Sequence, residues 1–413
     1  MAGAVFSGQL RGRTARGLHG GQQHRPHRRR RTALRDRLRA PPPGRGLSLG
    51  PGRQALFRAG SALLPVLARR RGVGTAPPPA RAAAGAAMKA RVAILGAGPA
   101  GLSAALWAHN LGLLPLVLER TERTGGNQNL NFLPNKSVLG QDGPTGPELA
   151  RRFHAHARAS GVDIRTGVHL ERIARGEGGG GFVLYPAHGG ADAAMPCAAL
   201  VIATGTAYRG TEVLAGVPGF AELAAERVAC GPFAFVGLEA LRGKSVLIVG
   251  GGDNAFENAS LLLAVGATVI VATRSQPRAQ AAFMGPVLAH GQAEVLADSR
   301  PLRLAAAGER IAARLATPGG EREVVVDRIH VLAGYQPNST EPAALLLAGT
   351  GERLQTDDAG YVRVDAWGRT GIAGVYAAGD VCEVDFPCVV SALAGGARAA
   401  KIIERDLREA GDR

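Results

Sequence analysis

The chain has 413 residues and a formal net charge of +16. Nearly all of that charge lies in residues 1–87, which carry 18 Arg, no Lys and one acid, Asp36, whereas residues 88–413 hold 31 basic and 32 acidic residues and are near neutral. Charge therefore makes no case for nucleic-acid binding, and no apolar run reaches the roughly 18 residues of a membrane-spanning helix. Four cysteines in so long a chain exclude a disulfide-stapled scaffold and suit a reducing, cytoplasmic compartment.

Residues 1–87 are Arg, Ala, Gly and Pro with little periodicity, including Arg28–Arg31, Pro41–Pro43, Arg69–Arg71 and Pro77–Pro79. Such a composition buries too little apolar surface to offset chain entropy, so a disordered extension is expected. Three origins fit. It could be an Arg-rich, acid-poor transit peptide, which would place the protein in an organelle; a disordered nucleic-acid-binding arm; or upstream sequence translated ahead of the true start. Arg without Lys is what GC-rich DNA gives in an arbitrary frame, and Met88-Lys89-Ala90 directly precedes an apolar strand. The third origin is preferred.

A strand at Val92–Leu95 runs into Gly96-Ala97-Gly98-Pro99-Ala100-Gly101, then an Ala/Leu-rich helix to Leu111, Gly112, and a second strand from Leu114 to Leu118 ending at Glu119. Each part has a mechanical task. Gly96 permits the tight turn, Gly98 lets a pyrophosphate approach the backbone, and Gly101 allows close helix–strand packing. The helix N-terminus offers unpaired N–H groups to phosphate, and Glu119 can accept hydrogen bonds from a ribose diol.

The pattern recurs. Val246–Val249 leads into Gly250-Gly251-Gly252-Asp253-Asn254-Ala255, a helix through Ala259 and Leu263 to Gly266, and a strand from Thr268 to Ala272 followed by Thr273-Arg274. The first Gly and the tip of the second strand are 23 residues apart in both copies, Gly96 to Glu119 and Gly250 to Thr273. The tips differ. Glu119 suits FAD or NAD and would repel a ribose phosphate, whereas Thr273 with Arg274 and Arg278 suits the 2′-phosphate of NADPH more than NADH. Further on, Arg310 to Arg328 reads as a hairpin around Pro318-Gly319-Gly320. Gly374–Val381 reads as a buried strand ending at Gly379-Asp380, with Asp380 placed for a ribityl hydroxyl, and residues 388–404 read as a helix whose start faces a flavin.

Taken together these residues resemble the two-dinucleotide-binding-domain flavoproteins, and among them the thioredoxin-reductase-like branch. Carrying the resemblance are Gly96–Gly101 with Glu119, Gly125-Gly126, Gly143–Leu149, Ala203-Thr204-Gly205, Arg242-Gly243-Lys244, Gly334–Asn338 and Gly379-Asp380, spanning 91 to about 404. The resemblance implies an α/β fold of two Rossmann-like three-layer dinucleotide-binding domains, the FAD domain (88–210 and 326–413) interrupted by the NAD(P)H domain (211–325), and a homodimer. It implies FAD contacts from Gly96, Gly98, Pro99, Ala100, Gly101, Glu119, Arg120, Gly126, Gln128, Thr204, Gly205, Gly379, Asp380, Cys388 and Val389. NADPH contacts are expected from Gly250, Gly252, Asp253, Asn254, Ala255, Thr273, Arg274 and Arg278.

The subclass turns on cysteines. A thioredoxin reductase of this branch needs Cys-x-x-Cys just before the second nucleotide unit, to form a disulfide that takes electrons from the flavin. Here Cys230 stands alone, and the other disulfide-reductase location, Thr124–Leu139, has none. Cys382 and Cys388, six apart across Pro387, are either a redox pair near the flavin or small residues at a strand end and helix start; the second reading is preferred. No His/Cys cluster has metal-ligand spacing, and His154 and His156 read as surface residues. The expectation is hydride transfer from NADPH to FAD with no side chain as acid or base. Electrons would pass on to a ferredoxin, a flavodoxin or a quinone-like small molecule. A flavin monooxygenase is an alternative, weakened because Leu241 stands where the Phe-x-Gly-x-x-x-His linker of that family has His. A flavin-bound redox sensor without turnover is another.

Overall fold

The computed structural model describes residues 90–411 apart from 191–192 and 232–236. The expected extension at 1–87, and the part of the linker that falls on 232–236, lie outside the described residues.

Two five-stranded parallel sheets organise the chain. The first half supplies β1 (Arg91–Leu95), α1 (Pro99–Asn110), β2 (Leu114–Leu118), α2 (Gly146–Ala159), β3 (Asp163–Arg165), the antiparallel β4 (Leu170–Arg175), β5 (Phe182–Pro186) and β6 (Met195–Cys197), then β7 (Ala199–Ile202) and β8 (Thr206–Tyr208). The second half contains β9 (Val228–Cys230), β10 (Ser245–Val249), α3 (Asp253–Ala264), β11 (Thr268–Ala272), α4 (Ala281–Leu288), β12 (Ala293–Leu296), the meander β13 (Arg300–Ala307), β14 (Arg310–Thr317) and β15 (Gly320–Val326), and β16 (Arg328–Val331). The chain returns through β17 (Tyr335–Pro337), α5 (Thr340–Thr350), β18 (Val375–Ala377) and α6 (Val389–Gly411). Strand order is β18-β7-β1-β2-β3 in one sheet and β12-β11-β10-β16-β9 in the other.

The central strands β1 and β10 of these parallel sheets are covered on both faces, which explains the short continuous apolar runs Val92–Leu95 and Val246–Val249. Helices α1 and α6 cover one face of the first sheet, where Val92, Ile94 and Val117 pack with Ala104, Ala399 and Ile403. Their backbones lie close. A Cβ on Gly396 would come within 2.1 Å of the Ala100 carbonyl oxygen, and one on Gly379 within 2.6 Å of the Ala100 Cβ. The opposite face packs Ala93, Leu116 and Leu200 against Phe182 and Leu346. The second sheet is filled likewise, by Phe256 and Leu262 on one face and by Leu304, Leu315 and Val326 on the other.

The hairpin expected around Pro318-Gly319-Gly320 is β14–β15, extended by β13 into three strands. The return from the second half comes later than the 326 expected from sequence. Strand β16 pairs with β10, Leu247 opposite Ile329, so residues up to Val331 belong to the second sheet. Both crossings then meet as the antiparallel pair β8–β17.

Candidate functional site

Strand register explains the repeated spacing. In the first sheet Leu95 lies opposite Leu118 and Ile202, so Gly96, Glu119 and Ala203 leave the carboxyl edge together. In the second, Val249 lies opposite Ala272 and Val331, so Gly250, Thr273 and Leu332 do the same. Each centre strand has neighbours on both sides reached by opposite connections, and ligands of open α/β sheets bind in that crevice. The first turn is closely packed. Gly96 has φ +104°, and a Cβ there would lie 2.4 Å from the Ala203 carbonyl oxygen; a Cβ on Gly101 would lie 1.9 Å from that of Gly96. Gly98 is different, since a Cβ there meets nothing within 4 Å. The space above Gly98, at the N-terminus of α1, is open for a ligand, and Gly126 bounds it: a Cβ there would lie 3.5 Å from the Gly98 Cα. The second turn repeats this. Gly250 sits against the Leu332 carbonyl, Gly252 opens onto free space, and Ala255 is fully buried in the third position.

Of two cavities, one borders the first turn at Gly96 and the other the second turn at Asn254. One, about 100 Å³, is lined by Gly96, Glu119, Arg120, Thr204, Asn338 and Glu341. The buried Glu119 carboxylate is fixed there by the Ala97 N–H at 2.8 Å and by the Thr121 N–H and hydroxyl at 2.9 Å each. Arg120 reaches Glu341 at 3.1 Å with both side chains exposed, an ion pair of little energetic weight. Thr204 and Asn338 clasp each other across the rim. Gly205, at φ +64°, accepts the Asn338 N–H at 2.9 Å.

The other cavity, about 210 Å³, draws on both halves of the molecule: Gln128, Asp380 and Cys388 from the first, Asn254 and Asn258 from α3, and Tyr208 with Tyr335 from the crossing strands. Three buried acceptor atoms on its lining residues, Gln128 Oε1, Asn258 Oδ1 and Asp380 Oδ1, have no hydrogen-bond partner among the described residues. Unpaired buried acceptors are costly and call for donors from a ligand. A flavin, with ribityl hydroxyls and a ring N–H, offers such donors, so the residues present fit the group. Burial, and then Glu383, push the Asp380 carboxyl up to about 6. Burial and then Asp253 raise that of Glu257. Burial first, and then Tyr335, keep Tyr208 protonated.

Several expected site residues have protein partners. Asp253 accepts from the Gln280 N–H and side-chain amide, both at 2.7 Å, and Asn254 donates to the Tyr335 hydroxyl at 2.9 Å. The buried Thr273 hydroxyl donates to the Ser275 carbonyl at 2.6 Å. Arg274 and Arg278 are exposed beside it, and the Arg278 N–H donates to the Gly251 carbonyl at 2.9 Å. The four cysteines are free thiols. Cys382 lies against the Gly379 carbonyl, and burial pushes its thiol up to about 12. Cys388, just before α6, is bonded with Ser391 instead, and Val389 is buried behind it. His154 is half-buried and bonded to the Thr124 hydroxyl, so it is more than a surface residue; His156 is exposed. Among the described residues, no group of three or more His, Cys, Asp or Glu could hold a metal, and no helix is long and apolar enough to cross a membrane. Sequence reasoning assigned no role to Tyr208, Tyr335 or Asn338, although the last two lie in Gly334–Asn338, one of the segments that carry the family resemblance.

A family model described as pyridine nucleotide-disulphide oxidoreductase matches residues 90–397. The chain is 30% identical over 317 residues to the F component of alkyl hydroperoxide reductase from Pseudomonas putida, covering 75% of this chain and 56% of that one, so it spans little more than half of that relative's length. It is 30% identical to the thioredoxin reductase of Mycolicibacterium smegmatis, covering 77% of this chain and 96% of that protein. With the ferredoxin–NADP reductase of Ignicoccus hospitalis it shares 29% identity over 73% of this chain and 93% of that protein. Among solved structures, Lactococcus lactis thioredoxin reductase in its FR conformation superimposes with a TM-score of 0.65 at 26% identity, covering 78% of this chain and all of that one.

Proposed function

The chain belongs to the pyridine nucleotide-disulphide oxidoreductase family, and on that premise we propose that it passes electrons from NADPH through FAD to an acceptor without using a thiol pair of its own. It is an NAD(P)H-dependent flavoprotein oxidoreductase working with FAD and NADPH, as the family match and its reductase relatives support. The acceptor and the roles of individual residues are the proposal. The observation that carries it is that Asp380 of the first half and Asn254 of the second line one cavity.

Bound FAD supplies the hydride-accepting ring. Gly98, Pro99 and Gly126 leave room for its pyrophosphate, and Ala100 with Gly101 at the N-terminus of α1 offer N–H groups. Glu119, held by Ala97 and Thr121, accepts from the ribose diol, with Arg120 and Thr204 at the rim. Asp380 and Gln128 accept from the ribityl and ring end, and the start of α6 at Cys388 and Val389 favours negative charge there. On the other side Gly250, Gly252, Asn254 and Ala255 cradle the nicotinamide dinucleotide. Arg274 and Arg278 clamp its 2′-phosphate beside Thr273, which stands where the first unit has Glu119. No side chain has to move a proton while hydride passes.

The sequence has no two cysteines separated by two residues, and Cys382 and Cys388 are bonded to different partners. The acceptor is therefore a carrier that takes electrons from the flavin directly. A ferredoxin or flavodoxin fits, in keeping with the ferredoxin–NADP reductase relative, as does a quinone-like small molecule. A homodimer is the proposed assembly. The test is anaerobic reduction of the FAD-loaded protein by NADPH, followed by reoxidation with ferredoxin, flavodoxin, quinone and thioredoxin in turn. Reoxidation by thioredoxin alone would overturn the proposal.

A further inference from the structure

The chain crosses between its two halves twice, and at the crossing the β8–β17 pair sets Tyr208 directly opposite Tyr335. The rings pack with centroids 4.4 Å apart, and the hydroxyls are 2.8 Å apart. Asn254, the second residue of α3, extends the contact by donating to the Tyr335 hydroxyl at 2.9 Å. A hydrogen-bonded chain thus runs from the crossing strands to the helix whose N-terminus carries the second Gly-rich turn. The crossing strands are themselves fixed to the first half. Thr204 donates to the Asn338 carbonyl at 2.7 Å, and the Asn338 amide to the Thr204 carbonyl at 2.9 Å. One apolar contact accompanies the polar chain, since Phe132 of the first half packs against the core cluster of the second that contains Phe256.

We infer that Tyr208, Tyr335 and Asn254 form a strut that holds the second Gly-rich turn over the cavity assigned to the flavin, which makes Tyr335 a positioning residue for hydride transfer. The inference rests on the function proposed above and names the group that sets its geometry. Hydride transfer needs donor and acceptor carbons in near contact, and misplacement by about 1 Å costs up to roughly a hundredfold in rate. The strut acts where such an error would arise. Asn254 lies four residues from the turn's first glycine, Gly250, and shares the cavity with Asp380 and Cys388. Without the Tyr335 hydroxyl, α3 keeps its fold and its phosphate-binding turn but loses its polar tie to the crossing strands.

The test is anaerobic stopped-flow reduction of the FAD-loaded protein over a range of NADPH concentrations. Tyr335→Phe is expected to lower the limiting rate of flavin bleaching by about tenfold. The half-saturating NADPH concentration should stay within about twofold, the flavin content should be unchanged, and the long-wavelength absorbance of the nicotinamide–flavin pair should weaken. Tyr208→Phe keeps the Asn254–Tyr335 bond and should lose only about twofold to threefold. Asn254→Ala should come within about threefold of Tyr335→Phe in limiting rate, and the double variant should lose no more than Tyr335→Phe alone, because the Asn254–Tyr335 bond is common to both. An unchanged limiting rate in Tyr335→Phe, a loss confined to half-saturation, or additive losses would overturn the strut. Should Tyr335→Phe not fold, Asn254→Ala carries the same test from the other end of the bond. Failure of NADPH to reduce the wild-type flavin at all would instead overturn the proposed function.

Discussion

Thr204 and Asn338 lie 134 residues apart in sequence and exchange two hydrogen bonds: the Thr204 hydroxyl donates to the Asn338 carbonyl at 2.7 Å, and the Asn338 amide to the Thr204 carbonyl at 2.9 Å. The outgoing and returning crossings are thereby joined at the rim of the cavity that holds Glu119. Asn338→Ala removes one of the two bonds and leaves the Thr204 carbonyl short of a partner. The expected loss is about 1–2 kcal/mol of stability, read as a fall of about 2–5 °C in melting temperature, together with weaker FAD retention. An unaltered melting temperature and flavin content would show that the clasp is incidental.

Gly98→Val tests the first turn with little interference from backbone strain. Gly98 has φ −74° and ψ −178°, a conformation open to any residue, and a Cβ there meets no protein atom. The variant should fold with an unchanged far-ultraviolet circular dichroism spectrum and be colourless, because the added methyl groups occupy the space left for the pyrophosphate. A yellow variant with a full complement of FAD would move the pyrophosphate elsewhere.

Arg274→Ala with Arg278→Ala should weaken NADPH by about ten- to a hundredfold, the worth of a charge-assisted contact, and leave NADH nearly unchanged. Both side chains are exposed beside Thr273, so their removal should not disturb the fold. Equal use of the two cofactors by the wild type would show that neither guanidinium reaches the 2′-phosphate.

Cys382→Ser with Cys388→Ser should keep NADPH-driven flavin reduction and turnover with the best acceptor. A serine at 382 retains a donor for the Gly379 carbonyl, and the bonds between residues 388 and 391 include the Cys388 N–H to the Ser391 hydroxyl at 3.0 Å, which the substitution leaves in place. Lost turnover with intact flavin reduction would make the two thiols an electron relay.

What the sequence made legible was local in the chain. Each Gly-rich unit is a strand, a turn, a helix and a strand whose spacing follows from one parallel register, so Gly96 with Glu119 and Gly250 with Thr273 could be paired from the shared offset. The contacts that join the halves were not legible. Tyr208 and Tyr335 meet across 127 residues, and nothing in either neighbourhood marks an aromatic partner. The return boundary was set too early because the β14–β15 hairpin looked like the end of the second domain. Arg328–Val331, lying directly after it, is a short strand whose place between β10 and β9 depends on both neighbours. Asp380 was legible as a Gly-Asp element, but its unpartnered carboxylate oxygen emerges only when the cavity closes around it.

That carboxylate gives FAD binding a pH dependence with a definite sign. In the flavin-free fold, burial and then Glu383 hold the Asp380 carboxyl at about 6, against roughly 3.9 in an unfolded chain. A raised carboxyl binds more protons folded than unfolded between those values, so this group's contribution to flavin-free stability falls as pH rises from about 4 to about 6. Flavin binding runs the other way. A ribityl hydroxyl donates more strongly to the carboxylate than to the carbonyl oxygen of the protonated acid, so the ligand favours the charged form, and below pH 6 binding also expels a proton. FAD affinity of the flavin-free protein should therefore rise by up to about tenfold per pH unit between pH 5 and 6 and level off above 7. Asp380→Asn keeps the shape and an acceptor oxygen but cannot titrate; it should bind FAD more weakly above pH 7, with this pH slope removed. Fluorescence titration of flavin-free wild type and variant with FAD from pH 5 to 8 measures both curves. Equal slopes in the two proteins would assign the titration to another group and remove Asp380 from contact with the flavin.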